Sequence, residues 1–202
     1  MNIPLLLDPL YRENFKYLKY EYEYYTAQKL AEDTLYSLSE EANEEELEDI
    51  SKVKSLISED TWNLDPTEFY NSFMKSKHPQ MLTHYSPEDF AQMKTYKVPG
   101  YDIGFALKQW KDGSYSEIVA VHNNDPRIKG IGKLLVKAAI RLGGRYLDHF
   151  DGMLSDLYGD DFSEYARYPY DPQYDPDGSF AKKYGTPDVI FRHHKSVQPP
   201  TD

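Results

Sequence analysis

The sequence predicts an α+β fold: a mixed central sheet flanked by helices, preceded by a helical N-terminal segment. Three observations carry this. Residues 1–77 hold 17 acidic against 8 basic side chains and place apolar residues at helical spacings of three and four. Residues 78–202 hold 17 acidic against 15 basic and alternate β-rich runs with helix patterns. Within this second part, a strand-like run enters a glycine-bearing turn that opens an apolar helix. The charge step at Lys77-His78-Pro79 sets the expected boundary between an acidic helical segment, 1–77, and a second domain, 78–202.

Phe15, Leu18, Tyr22 and Tyr25 form one helical stripe, although the alternation of Tyr20 to Tyr24 is also compatible with a strand. The stretch 40–57 is acidic at its start and carries Leu47, Ile50, Val53 and Ile57 on one face. Asp65-Pro66-Thr67-Glu68 predicts a helix start, with Asp65 as the cap, Pro66 in the first turn and Glu68 reaching back; Phe69 and Phe73 then face inward. Residues 80–85 suit a short strand, and Ser86-Pro87-Glu88-Asp89 opens a helix expected to run to about Tyr96. The β-rich runs 101–108 and 116–122 flank Asp112-Gly113, a hairpin signal. Leu134, Leu135, Ala138, Ala139 and Leu142 mark a helix that Gly143-Gly144 stops. A strand at 146–150, a short helix at 153–158 and two strands at 162–170 and 188–194 complete the chain, the last two joined by a loop rich in Pro, Asp and Tyr.

Composition narrows the function. The chain of 202 residues has no cysteine, which removes disulfides, thiolate metal sites and cysteine nucleophiles together. A net charge of −11 argues against nucleic acid, whose phosphates need Lys and Arg, and against an anionic membrane surface. The apolar run from Ile3 to Leu7 is too short for a signal sequence, and no stretch approaches a membrane span. The expected compartment is the cytoplasm, or a virion assembled within it. Nineteen tyrosines supply amphipathic bodies for a core or an interface, which leaves a homo-oligomer open.

The segment from Ile118 to Val136 carries the chemistry. Its turn, Arg127-Ile128-Lys129-Gly130-Ile131-Gly132-Lys133, aims backbone N–H groups at one spot, and the helix N-terminus adds a field that favours anions. Glycines at 130 and 132 let the backbone approach a pyrophosphate; they would equally serve a plain tight turn. The P-loop is excluded because Gly132-Lys133-Leu134 lacks the hydroxyl residue, and the dinucleotide fingerprint because its third glycine is missing.

Arg127, Gly130 and Gly132 spell R-x-x-G-x-G, and this segment resembles motif A of the GNAT acetyltransferase superfamily. The order of elements over about residues 80–194 is similar to that family's as well. The resemblance implies a GNAT-like mixed sheet and acetyl-coenzyme A as the cofactor. Its pyrophosphate would lie in the turn and its pantetheine arm between two splayed parallel strands, here 117–122 and 146–150. The implied cofactor-binding residues are Val119, Val121, Arg127, Ile128, Lys129, Gly130, Ile131, Gly132 and Lys133. Leu154-Ser155-Asp156-Leu157-Tyr158 resembles the family's tyrosine helix, which makes Tyr158 the implied general acid to the leaving thiolate. Asp161 stands where the family carries glycine, and Gly159-Asp160 replaces a more helical pair.

By position at the end of the splayed strand, His122 is the candidate general base, and equally a polar loop or capping residue; Asp148, His149 and Asp151 follow it. Asp148, His149 and Asp151 alternate across a strand and cannot converge on a metal, so none is expected. Two functions stay open. One is an acetyl-coenzyme A-dependent N-acetyltransferase, acting by direct transfer to an amine of unknown identity because no thiol exists to carry the acyl group. The other is a catalytically inactive GNAT-like structural or interaction protein, similar to those encoded by bacteriophages as virion or assembly components. In either case the acidic segment 1–77 is the expected surface for a protein partner.

Overall fold

The computed structural model describes residues 44–76, 83–175 and 177–200. The stripe from Phe15 to Tyr25 and most of the expected strand at 80–85 lie outside the described residues; Thr83, His84 and Tyr85 carry no strand. The elements run α1 (Glu44–Ser58), α2 (Pro66–Phe73), α3 (Pro87–Ala91), β1 (Lys94–Lys97), β2 (Ile103–Gln109), β3 (Tyr115–Asn123), α4 (Gly132–Arg141), β4 (Tyr146–Phe150), α5 (Met153–Gly159), β5 (Phe162–Tyr168), α6 (Ser179–Tyr184) and β6 (Val189–His194). By compactness the chain divides into Met1–Leu47 and Glu48–Asp202. The helices α1 (from Glu48) and α2, which carry part of the acidic half, therefore belong to the same unit as the sheet.

The fold is α+β, with six strands in the order β1-β2-β3-β4-β6-β5. β3 and β4 are parallel, joined through α4, while every other neighbouring pair is antiparallel. Strand alternation sends β2 to both faces at once: Ile103, Phe105 and Leu107 to one, Gly104 and Ala106 to the other. The first face packs on Val53 and Ile57 of α1, on Leu135, Val136, Ala138 and Ala139 of α4, and on Tyr158 of α5. The second packs on Phe69 and Phe73 of α2 and Phe90 of α3. Each large side chain buried in this way contributes about 1.5–3 kcal/mol.

Local chemistry explains the helix starts. Asp65 accepts from the N–H groups of Thr67 and Glu68, at 2.7 and 3.1 Å. Glu68 does not reach back to complete a box; its carboxylate accepts from Asn63 Nδ2, and Asn63 Oδ1 takes the Asp65 N–H instead. Ser86 and Asp89 do form the reciprocal capping box. On α1, Ile50, Val53 and Ile57 face the core as expected, but Leu47 is 49% exposed.

Two expectations need correction. The helix opened by Ser86 ends at Ala91, and Lys94–Lys97 is strand β1. Pairing with β2, Thr95 opposite Ala106, outweighs local helix propensity there. The loop before β6 contains a 3-10 turn, Pro172–Tyr174, and the helix α6, organised by Asp175, whose carboxylate accepts from Tyr170 Oη and from the N–H groups of Phe180 and Ala181. Among the described residues no helix is long and apolar enough to cross a membrane.

Phe69 is fully buried, edge-on to Phe90 at 5.0 Å and to His122 at 5.1 Å. Phe69→Ala is expected to lower the unfolding free energy by about 3–5 kcal/mol, read by urea denaturation.

Candidate functional site

The site begins where the two parallel strands part. β3 and β4 share one register pair, Glu117 opposite Tyr146, at the start of both. Two features hold that start. The Arg145 N–H donates to Ser116 O at 2.7 Å. Gly144 also lies so close to Ile118 that a Cβ there would stand 2.5 Å from its Cγ1. Beyond this point β3 bends: Phe105 faces a bulge between Val119 and His122, and Ala120 holds φ +52. A left-handed alanine costs about 1–2 kcal/mol, and bulges of this kind re-aim a strand. Of the two expected strand residues, Val119 is buried on the second face and Val121 is half-buried against the first.

The turn follows directly. Asn124 Nδ2 donates to Ser72 O and Phe73 O, which ties the turn to the end of α2. Asn123 Nδ2 holds Ile128 O at 2.8 Å. Ile128 and Ile131 are 1% exposed and anchor the turn to the core. Gly130, at φ +70, is exposed with open space around it, and Lys129 is exposed beside it. Gly132 approaches Leu157 so closely that a Cβ would sit 3.3 Å from its Cδ1. The helix α4 has no side-chain cap. Among the described residues, the backbone N–H groups of Lys129, Gly130, Ile131 and Gly132 have no acceptor. That leaves a small set of donors at a helix N-terminus, the arrangement that suits an anion.

Two of the turn's three cations, Arg127 and Lys133, are engaged elsewhere. Arg127 grips Asp125 through Nε and Nη2, at 2.9 and 2.8 Å, and reaches Asp49 Oδ2 of α1 at 3.2 Å. It lies over the ring of Tyr101, whose hydroxyl donates to Asp49 at 2.5 Å. Asp125 is held below its usual range, first by the Arg127 hydrogen bond. Lys133 pairs with Asp160 at 2.8 Å. Asp49, 78 positions from Arg127, carries no signal in the sequence that could have found it.

His122 turns to the second face. Nε2 meets Ser72 Oγ and Nδ1 meets Ala120 O, both at 2.9 Å, between the rings of Phe69 and Phe73. Burial pushes its pKa down to about 4. Tyr158 lies on the first face, 7% exposed, near His149 and Phe162. No described residue hydrogen-bonds its hydroxyl, and burial followed by the charge of Asp148 pushes it up to about 12. The geometry thus separates His122 from Tyr158 across the sheet.

Asp148, whose charge reaches Tyr158, has an acidic neighbour. Glu117 on β3 and Asp148 on β4 share the second face with Val119, beside the parting of the strands. Lys108 of β2 stands opposite Glu117 in register, 3.5 Å from its carboxylate. Desolvation raises Glu117, with Lys108 opposing and Asp148 adding to the rise. Desolvation also raises Asp148, with Lys108 opposing. The Asp148 side chain is exposed to solvent. The phenols of Tyr85 and Tyr165 feel both carboxylates; that of Tyr85 is pushed up to about 12 by burial and then by Glu117 and Asp148. Asp148 was legible as a base candidate at the end of a strand. Glu117 was not, because its neighbours are set by register.

Among the described residues, no group of three or more His, Asp or Glu side chains is placed to hold a metal ion. Comparison with protein-family models, with curated proteins and with solved structures gave no match.

His122 is expected to stay neutral in the folded protein down to about pH 4, by NMR of its ring protons. Its pKa is depressed by folding, so the unfolded chain binds more protons between about pH 6.5 and 4. Stability should therefore fall as pH drops through that window. His149 and His194 are lowered in the same direction and add to the fall. His122→Gln should remove His122's share, up to about 3 kcal/mol.

Proposed function

We propose that the protein is an acetyl-coenzyme A-dependent N-acetyltransferase with a GNAT-like fold, transferring acetyl directly to an amine. The observation that carries the proposal is the parting of β3 and β4 after the single pair Glu117–Tyr146, with the Arg127–Gly132 turn following the parted strand. A parallel pair that separates leaves β3 backbone groups beyond Glu117 without a ladder partner in β4. Those groups suit the amides of an extended pantetheine arm and the polarised thioester carbonyl. The N–H groups of Lys129 to Gly132 suit a pyrophosphate.

The bound thioester supplies an activated acetyl group and a thiolate leaving group. With the thioester bound, the amine lone pair would form the C–N bond as the C–S bond breaks, the thiolate would take a proton from a donor, and the proton shed by the acylated nitrogen would pass to water and so restore the donor. Tyr158 is the proton donor in this reading: its side chain is largely buried, its hydroxyl has no hydrogen-bond partner among the described residues, and it is protonated throughout the neutral range. His122, held in an aromatic pocket with both nitrogens engaged, acts here by packing β3 against α2.

A second reading, the inactive structural or interaction protein, is favoured by one observation. Arg127, the cation of the motif, is committed to Asp125 and Asp49. Calorimetry separates the two. Acetyl- and desulfo-coenzyme A are both expected to bind at micromolar to millimolar concentration, and absence of heat at millimolar ligand removes the enzyme reading. Tyr158→Phe should leave that binding intact and lower kcat by about 10²-fold or more, the span of a lost general acid.

A further inference from the structure

We infer that Arg192 of β6, aimed by His149 of β4, binds the carboxylate of a small organic acid on the α5 side of the sheet. On the acetyltransferase reading that acid is the acceptor, an amine that also carries a carboxylate; the binding itself does not rest on that reading.

Register places the residues. Arg192 stands opposite Leu147, so it shares the first face with Leu147 and His149. His149 is 6% exposed, and its ring lies 5.2 Å from that of Tyr158. It belongs to the part of β4 beyond Tyr146, which has no ladder partner in β3. The Arg192–His149 pair therefore borders the parted strands from the side of Tyr158.

The hydrogen bonds fix how the guanidinium is aimed. Arg192 Nε can only donate, so His149 Nε2, at 2.9 Å, is the accepting nitrogen. His149 Nδ1 then carries the proton and donates to Phe150 O at 2.7 Å. A neutral imidazole satisfies Nε but brings no negative charge. It leaves the end of the guanidinium, Nη1 and Nη2, without an acceptor among the described residues. Every other described arginine sends at least one Nη to an acceptor. Trp62 Nε1 is the one fully buried side-chain N or O atom without a partner among the described residues, so both Nη atoms of half-buried Arg192 reach solvent.

The neighbouring acid is already spent. Glu164 of β5 stands opposite Arg192 in register, yet its two oxygens accept from Nε and Nη2 of Arg167, each at 2.9 Å. Arg192 is left as a half-buried cation with no ion pair among the described residues. Two parallel N–H groups at the end of a guanidinium match the two oxygens of one carboxylate. A single negative charge suits the place better than a phosphate dianion, which Glu164 would repel about twice as strongly.

The test titrates the full chain with sodium propionate at neutral pH and fixed ionic strength, with propionamide as the neutral isostere, followed by NMR of the β4 and β6 backbone amides. Propionate should bind saturably and about tenfold more tightly than propionamide. Arg192→Lys keeps the charge but loses the fork, and His149→Phe keeps the ring but loses the acceptor that aims it; each should weaken propionate about fivefold or more. Glu164→Gln, at an exposed position, should tighten it several-fold and keeps the test decisive should the other variants fold poorly. Equal binding of propionamide, or binding indifferent to all three variants, overturns the inference. Coenzyme binding without propionate binding also overturns it and leaves the acetyltransferase reading standing. Propionate binding without coenzyme binding upholds the site and removes that reading.

Discussion

The pinned start of β4 beside β3 governs most of what the sheet can do. Arg145 donates to Ser116, and Gly144 presses on Ile118, so the two strands begin in register at Glu117 and Tyr146. β3 is then turned by its bulge at Ala120, while β4 is held from its other side by β6 along its whole length. The short ladder between β3 and β4 accords with a bulge in one strand and unbroken pairing of the other with β6.

That separation arranges the chemistry on two sides. Tyr158 comes from α5 on one face, while Glu117 and Asp148 stand on the other. Strand alternation alone enforces this, since Leu147 points to the Tyr158 side and Asp148 must point away.

The turn is fixed from outside itself. Asn124 ties it to the end of α2, and Arg127 ties it through Asp49 to α1. The anion-facing quality of the turn therefore resides in its backbone N–H groups, while its conspicuous cation serves as a strut. Asp125 at 7% exposure completes that strut, a buried acid matched by a bidentate guanidinium.

Much of the architecture was legible in local pattern. The hairpin about Asp112-Gly113, the helix from Gly132, the glycine stop at 143–144 and the Asp65 cap rest on periodicity and turn chemistry, which neighbouring residues decide. The strand at Lys94–Lys97 and the helix at Ser179–Tyr184 were not, because β1 exists through its pairing with β2 and α6 through bonds to Asp175. Of the site, sequence by itself determined the turn and the short helix that carries Tyr158. Tertiary structure alone decided that Arg127 meets Asp49, that His122 is sealed between Phe69 and Phe73, and that Glu117 faces Asp148's side of the sheet. The physical reason is the same in each case: those contacts join residues far apart in the chain, and only packing and register bring them together.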